Sequence, residues 1–300
     1  MLNAVRAVFS GAVISRTGQR MASTGPSYEA LAVSSVSPYV YHVELNRPEK
    51  LNAFNEAMWH NLGECFNDLG QNADCRAIVL SGAGKLFTAG IDLNSMVKIG
   101  ASISEQDDVA RRCKILSNFI KKYQDAITSL EKCPKPVIAA IHGACIGAGI
   151  NLVTAADIRY CTKDAWFQVK EVAIGLAADV GVLQRLPKVT GNDSLCRELS
   201  YTARKLLSSE AKEFGLLSKV FDDKESMMKE AFSVAASIAS HSPVAVQGTK
   251  KNLVFSRDHT VQEGLDNIRD WNMVMLQSED FMNAAAAAAT KSGAPEFSKL

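Results

Sequence analysis

Residues 39–45 (Y-V-Y-H-V-E-L) are β-rich and roughly alternate between apolar and polar, which predicts a strand. Asn46-Arg47-Pro48 closes it with a turn signal. Beyond it, Met58, Trp59, Leu62, Cys65, Phe66 and Leu69 fall three or four apart, the spacing of one helical face. Residues 77–80 and 136–141 are short continuous apolar runs and read as buried strands. Each is closed by small residues, Ser81-Gly82-Ala83-Gly84 and His142-Gly143. A long polar helix is predicted over roughly 105–131, after a loop. Residues 147–156 read as a buried helix and 158–161 as a further strand.

Strand and helix signals alternate in this way up to about residue 221, which gives an α/β class with a mixed or largely parallel sheet. Strand signals then stop. Residues 223–290 read as consecutive helices, and the alanine run 284–289 needs only helix propensity to explain it. A helical third after an α/β core suits packing or assembly.

Charge narrows the function classes. The 300 residues carry 33 Lys plus Arg against 32 Asp plus Glu, so no global field draws the chain to nucleic acid or an anionic membrane. Lys121-Lys122 and Lys250-Lys251 are only pairs, not the basic stripe of an RNA-binding helix. No apolar run approaches the roughly 18 residues of a membrane span. Seven cysteines form no C-x-x-C pair, which argues against a zinc ribbon or a disulfide framework and for reduced, buried thiols.

Both ends look like addresses. Residues 1–28 hold no Asp or Glu, carry Arg6, Arg16 and Arg20 among several Ser and Thr, and place Leu2, Val5, Val8 and Phe9 on one helical face. This is the composition of a mitochondrial transit peptide. The chain ends in Ser298-Lys299-Leu300, a peroxisomal address read by an import receptor, at the end of an expected flexible tail over 291–300.

The usual chemical motifs are missing. Val79 and Leu86 break the phosphate-loop pattern around Ser81-Gly82-Ala83-Gly84-Lys85, and Gly143, Gly147 and Gly149 do not fit a dinucleotide fingerprint. The five histidines lack metal-ligand spacing, and no G-x-S-x-G elbow is present. Two glycine-containing loops remain: Phe87-Thr88-Ala89-Gly90-Ile91-Asp92-Leu93, and the stretch from His142 to Asn151. Small residues let a ligand approach the backbone, and N–H groups at such strand and helix ends can stabilise a developing oxyanion. Downstream, Glu171 and Asp179 lie in mostly apolar sequence, where carboxyl groups resist ionisation and suit acid–base work.

Five segments together give a specific resemblance over about residues 35–280. They read N-R-P-E-K-L-N-A (46–53), F-T-A-G-I-D-L (87–93), P-V-I-A-A-I-H-G-A-C-I-G-A-G-I-N-L (136–152), A-D-I-R-Y (156–160) and Q-R-L-P (184–187). On them the chain resembles the crotonase (enoyl-CoA hydratase/isomerase) superfamily. Lys170-Glu171-Val172, G-L-A-A-D-V-G (175–181), Q-R-L-P-K (184–188) and the terminal S-K-L resemble its dienoyl-CoA isomerase subgroup.

The resemblance implies a crotonase-like spiral of ββα repeats over 35–221, and a helical C-terminal trimerisation region over 222–290, in trimers that commonly pair into hexamers. It implies an acyl-CoA thioester substrate, with no metal and no cofactor beyond the coenzyme A of the substrate. The N–H groups of Ile91 and Ala148 match the family's oxyanion hole, and Ala89, Gly90, Ile91, Asp92 and Leu93 match its substrate-binding loop. Glu171 and Asp179 match the catalytic acids of a shift from 3,5-dienoyl-CoA to 2,4-dienoyl-CoA, with Glu171 facing C2 and Asp179, held protonated by a raised pKa, facing C6. Both addresses then lead to compartments of fatty-acid oxidation. Asn151 is a departure, because the subgroup has Asp there and hydratases have Glu. An amide carries no charge and exchanges no proton as Asp would. The alternatives are a Δ3-Δ2-enoyl-CoA isomerase working with Glu171 alone, a weak hydratase, or an acyl-CoA-binding protein impaired at Asn151.

Overall fold

A computed structural model of the chain describes residues 27–293 and 295–300. The expectation of a transit peptide over 1–28 lies almost wholly outside these residues.

The larger sheet has six strands: β1 (Leu31–Ser37), β2 (Val40–Leu45), β3 (Ala77–Gly82), β4 (Val137–Ile141), β6 (Ile158–Thr162) and β9 (Lys219–Phe221). They lie side by side in that order; β1 runs antiparallel to β2 and every other neighbour is parallel. The smaller sheet orders β5 (Ala144–Ile146), β7 (Trp166–Gln168) and β8 (Leu206–Leu207). Single bridges extend it: Thr88 pairs with Cys145 of β5, and Ile91 pairs with Phe54.

The chain therefore repeats one move. It runs a strand through the large sheet, makes a short pairing in the small sheet, and returns by helix. β2, Phe54 and α1 (Glu56–Gln71) make one such turn. β3, the 88–91 pairings, α2 (Leu93–Ser104) and α3 (Val109–Lys132) make the next. β4, β5 and α4 (Ala148–Ala155) make a third, and β6, β7 and α5 (Val182–Thr190) a fourth. α6 (Asp193–Thr202) and α7 (Ser208–Glu213) lead to β9, and α8 (Lys224–Ala239), α9 (Pro243–Ser256), α10 (Val261–Met275) and α11 (Glu279–Thr290) complete the chain.

β3 and β4 are buried throughout, and apolar but for Ser81, because both faces are covered. Ala77, Val79, Ile138 and Ala140 face Met227, Ala231, Ala235 and Ala239, a stripe at every fourth position whose three alanines seat α8 close to the sheet. Ile78, Leu80, Ala139 and Ile141 join the main core with Phe66, Ile127 and Leu152. Truncating Leu80 or another fully buried core leucine to Ala would cost ~2–5 kcal/mol. Lys250 fastens α9 to this body. Its buried ammonium donates to the Leu130 and Lys135 carbonyls, each at 3.0 Å, and pairs with Asp157 at 2.8 Å.

Three features differ from the sequence-based expectations. Residues 93–104 form helix α2 rather than a loop; Asp92 caps it, but Gly100 and scattered serines interrupt its apolar pattern, and none of its residues is buried. β1 and the two- and three-residue strands of the small sheet are too short or too serine-rich for alternation to show. The tail is not free along its length: Arg76 donates to the carbonyls of Phe297 (2.6 Å) and Ser298 (3.1 Å), and Lys299 pairs with Asp74 at 2.5 Å.

Candidate active site

Because β2, β3 and β4 run parallel, their C-terminal ends share one edge of the sheet, where ligands of open α/β sheets bind. The chain following β2 and the 83–92 and 142–147 segments meet there.

Asn52 is the hub. It is fully buried, at a backbone φ of 52° that Asn tolerates better than most residues. Its amide nitrogen reaches the carbonyls of Ala83 (2.8 Å), Leu86 (3.1 Å) and Phe87 (3.1 Å), while its oxygen accepts the Arg47 N–H at 2.9 Å. Thr88 donates its hydroxyl to the Asn52 carbonyl at 2.7 Å and accepts the Gly90 N–H at 3.1 Å. The Phe54 N–H then bonds the Gly90 carbonyl at 2.8 Å, and the Asp92 N–H bonds the Phe54 carbonyl at 3.0 Å.

In a trans peptide the carbonyl and the next N–H point in opposite directions. Tying the Gly90 carbonyl to Phe54 therefore aims the Ile91 N–H away from Phe54. Ile91 N–H donates to nothing among the described residues. The same logic holds at α4. The Gly147 carbonyl accepts from the Ile150 N–H, the Asn151 N–H and the Asn151 side chain, which turns the Ala148 N–H outward and leaves it without a partner among the described residues. The two loops pack closely: a Cβ on Gly90 (φ 92°) would lie 2.9 Å from the Ile146 carbonyl oxygen and 3.8 Å from the Ala148 nitrogen, so only glycine fits. Ala89, Gly90, Ile91, Asp92 and Leu93 thus form one continuous segment, from the small-sheet pairing to the start of α2. Asp92 caps α2 through the Asn94 N–H (3.1 Å) and pairs with Arg47 at 3.4 Å.

The acids follow α4. Asn151 is completely buried, and Glu171 opens a short 3₁₀ turn, Glu171–Ile174. The Asn151 nitrogen donates to Glu171 Oε1 at 3.0 Å, and its oxygen accepts the Val182 N–H at 2.6 Å. Glu171 Oε2 is buried and has no hydrogen-bond partner among the described residues. Burial pushes the Glu171 carboxyl above its ordinary value; backbone amides and Asn151 pull it back, and the nearby Asp179 charge adds to the rise. Desolvation also raises Asp179, although this residue is exposed in the single chain rather than enclosed as its apolar sequence suggests. Its carbonyl accepts from the Gln124 side chain at 2.7 Å.

Sequence reasoning named Ile91, Ala148, Asn151, Glu171 and Asp179 but missed Asn52 and Thr88 as the pieces that aim them. A turn-forming Asn immediately after Pro48-Glu49-Lys50-Leu51 was the available signal. Among the described residues, no group of three or more His, Cys, Asp and Glu is placed to hold a metal ion.

A spiral of paired sheets whose parallel edge carries two N–H groups without partners among the described residues, together with a half-buried Glu171 and an exposed Asp179, defines an acyl-thioester enzyme of one family. The chain matches the enoyl-CoA hydratase/isomerase profile over residues 36–291, and it belongs to that family. It is 56% identical over 278 residues to the mitochondrial Δ(3,5)-Δ(2,4)-dienoyl-CoA isomerase of Rattus norvegicus, covering 91% of this chain and 84% of that one. It is 45% identical to the peroxisomal Δ(3,5)-Δ(2,4)-dienoyl-CoA isomerase of Arabidopsis thaliana, covering 92% of this chain and all of the relative. Among solved structures, enoyl-CoA hydratase from Bacillus anthracis superposes with a TM-score of 0.79 at 26% identity, over 90% of this chain and 99% of that one.

Proposed function

We propose that this chain isomerises 3,5-dienoyl-CoA to 2,4-dienoyl-CoA in the β-oxidation of unsaturated fatty acids. The observation that carries this reading is the second acid. Asp179 joins Glu171, both raised above ordinary carboxylates, beside two N–H groups without partners.

The thioester oxygen docks on the Ile91 and Ala148 N–H groups. This acidifies the C2 protons and stabilises the dienolate that forms when one leaves. Glu171, through its unpartnered Oε2, takes the C2 proton. The electron pair shifts along the diene, and Asp179 delivers its proton to C6. The charge stays within the substrate, so the reaction needs no metal or redox group. Asn151 removes one of the two carboxylates a hydratase would use on water, which disfavours that alternative.

The chain works in mitochondria and peroxisomes, in keeping with relatives named for each compartment and with an S-K-L ending for the peroxisomal import receptor. A homotrimer or homohexamer is supported by exposed apolar residues from α9 onward, among them Leu253, Val261, Leu265, Met273 and Leu276.

Asp179→Asn tests the mechanism. In D2O, this variant should keep exchanging the C2 hydrogen of 3,5-dienoyl-CoA while forming no conjugated product. Normal product formation by Asp179→Asn would remove Asp179 from the reaction.

A further inference from the structure

We infer that Gln124 and Arg185 are positioning residues for Asp179: they hold the loop that aims its carboxyl at the far end of the diene. The inference rests on the isomerase reading above and deepens it.

Asp179 lies in a stretch without regular structure between the Glu171–Ile174 turn and α5. A proton donor there needs outside support, because a catalytic group displaced by about 1 Å can lose roughly 10²-fold in rate. Support comes from one face of α3. Gln124, Thr128 and Glu131 are spaced four and three apart, so they project together. Gln124 Nε2 donates to the Asp179 carbonyl at 2.7 Å. Two residues on, Gly181 has φ 122°, and a Cβ there would fall 2.0 Å from Arg185 Nη1. The guanidinium occupies the space a side chain would need, so Arg185 packs directly against the loop at Gly181.

Arg185 is itself held. Its Nε and Nη2 donate to Glu131 Oε2 at 2.9 and 2.7 Å, and Nη2 also donates to Thr128 Oγ1 at 3.0 Å. The pair is largely withdrawn from water, with side-chain exposures of 12% and 16%, and a fork of charge-assisted bonds fixes direction as well as distance. The other Glu131 oxygen takes Arg257, next to the end of α9. The Gln184-Arg185-Leu186-Pro187 motif thereby gains a role in the chemistry.

These side chains line a cavity of about 390 Å³ that Asp179 borders. The cavity meets a requirement of the reaction cycle. Each turnover breaks the C2–H bond, places that proton on Glu171, and forms the C6–H bond with the proton of Asp179. Glu171 is left protonated and Asp179 ionised. Before the next cycle Glu171 must lose a proton to water and Asp179 must gain one, and the polar cavity brings water to Asp179.

The test uses the full chain in D2O with 3,5-dienoyl-CoA, following the absorbance of the diene conjugated with the thioester carbonyl for product and NMR for deuterium at C2 of the substrate. Gln124→Met keeps the length of the side chain and removes the donor. Arg185→Lys keeps the charge and removes the fork. Each variant should lower kcat about tenfold with KM within about twofold, and raise C2 exchange per product formed about tenfold, because the dienolate waits longer for its C6 proton. A purely structural role would lower C2 exchange and product together, leaving their ratio fixed. An unchanged ratio in either variant that melts as the unmodified chain does overturns the inference. If Gln124→Met fails to fold, Arg185→Lys decides alone. If the unmodified chain forms no 2,4-dienoyl-CoA, the isomerase reading itself falls; if it does and only the variants behave like it, this inference alone falls.

Discussion

The side-chain amide of Asn151 donates to Glu171 Oε1 at 3.0 Å, and its orientation is not free. The Val182 N–H offers a donor on one side, and the Gly147 carbonyl and the Glu171 carboxylate are both acceptors on the other, so the amide has one satisfactory setting. In that setting one nitrogen fixes both the Gly147–Ala148 peptide and the Glu171 carboxylate. An aspartate in the same place would face two acceptors with an oxygen of its own. One carboxyl of the pair would then have to carry a proton. In the proposed mechanism Asn151 therefore leaves Glu171 to act as a base without proton sharing.

That difference is measurable as a pH profile. The proposed mechanism requires Glu171 ionised and Asp179 protonated, so it predicts that kcat/KM rises as pH climbs through the first value and falls through the second. Burial raises both, which moves each limb upward from where an ordinary glutamate and aspartate would place it. Asn151→Asp adds a second carboxyl against Glu171, and like charges resist joint ionisation. The acid limb should shift upward by about one pH unit or more. An acid limb unmoved in Asn151→Asp would show that residue 151 does not control the base.

Glu171 should carry a stability cost at neutral pH. Its folded pKa is raised by burial, so the folded chain binds this proton more tightly than the unfolded chain does. The contribution is fully present below the ordinary value of 4.5 and is lost as pH rises through the folded value. Glu171→Gln keeps the acceptor for Asn151 and removes the charge. It should melt at higher temperature than the unmodified chain at about pH 8, with the gap closing near pH 4, while kcat drops by about 10²–10⁴-fold. Thermal melts at both pH values decide this; equal melting at the higher pH contradicts it.

Gly90→Ala probes how Ile91 is aimed. The added methyl would press on the Ile146 carbonyl at 2.9 Å in a backbone conformation unsuited to alanine. The segment must shift, and the Ile91 N–H loses its direction. A fall in kcat of about 10²–10³-fold is expected, the scale of losing one oxyanion donor. Stopped-flow product formation beside a melting curve separates this from unfolding: a folded variant with full kcat would clear Ile91 of the role.

Strands β3 and β4 of the large sheet were legible because burial on both faces writes apolar runs, as at residues 77–80, whereas the serine-rich β1 was not. Helix α1 was legible through Met58, Leu62 and Phe66 on one face. α2 was not, since it buries no residue and Gly100 interrupts it. The small sheet was not, because strands of two or three residues show no period. At the site, the types of Glu171, Asp179 and Asn151 were plain in the sequence. What stayed hidden was Asn52, whose work is done by hydrogen bonds to carbonyls some thirty residues away. The sequence also hid that Asn151 serves a carbonyl and a carboxylate at once.

The first measurement is the longer-wavelength absorbance of a diene conjugated with the thioester carbonyl, after mixing the chain with a 3,5-dienoyl-CoA, run beside Asn151→Asp. If Asn151 completes the site, absorbance grows with the unmodified chain at a rate within about tenfold of the variant's, each at its own optimal pH. No growth with the unmodified chain, and growth only in Asn151→Asp, would mean that the charge at residue 151 is indispensable and that this chain binds acyl-CoA without isomerising it.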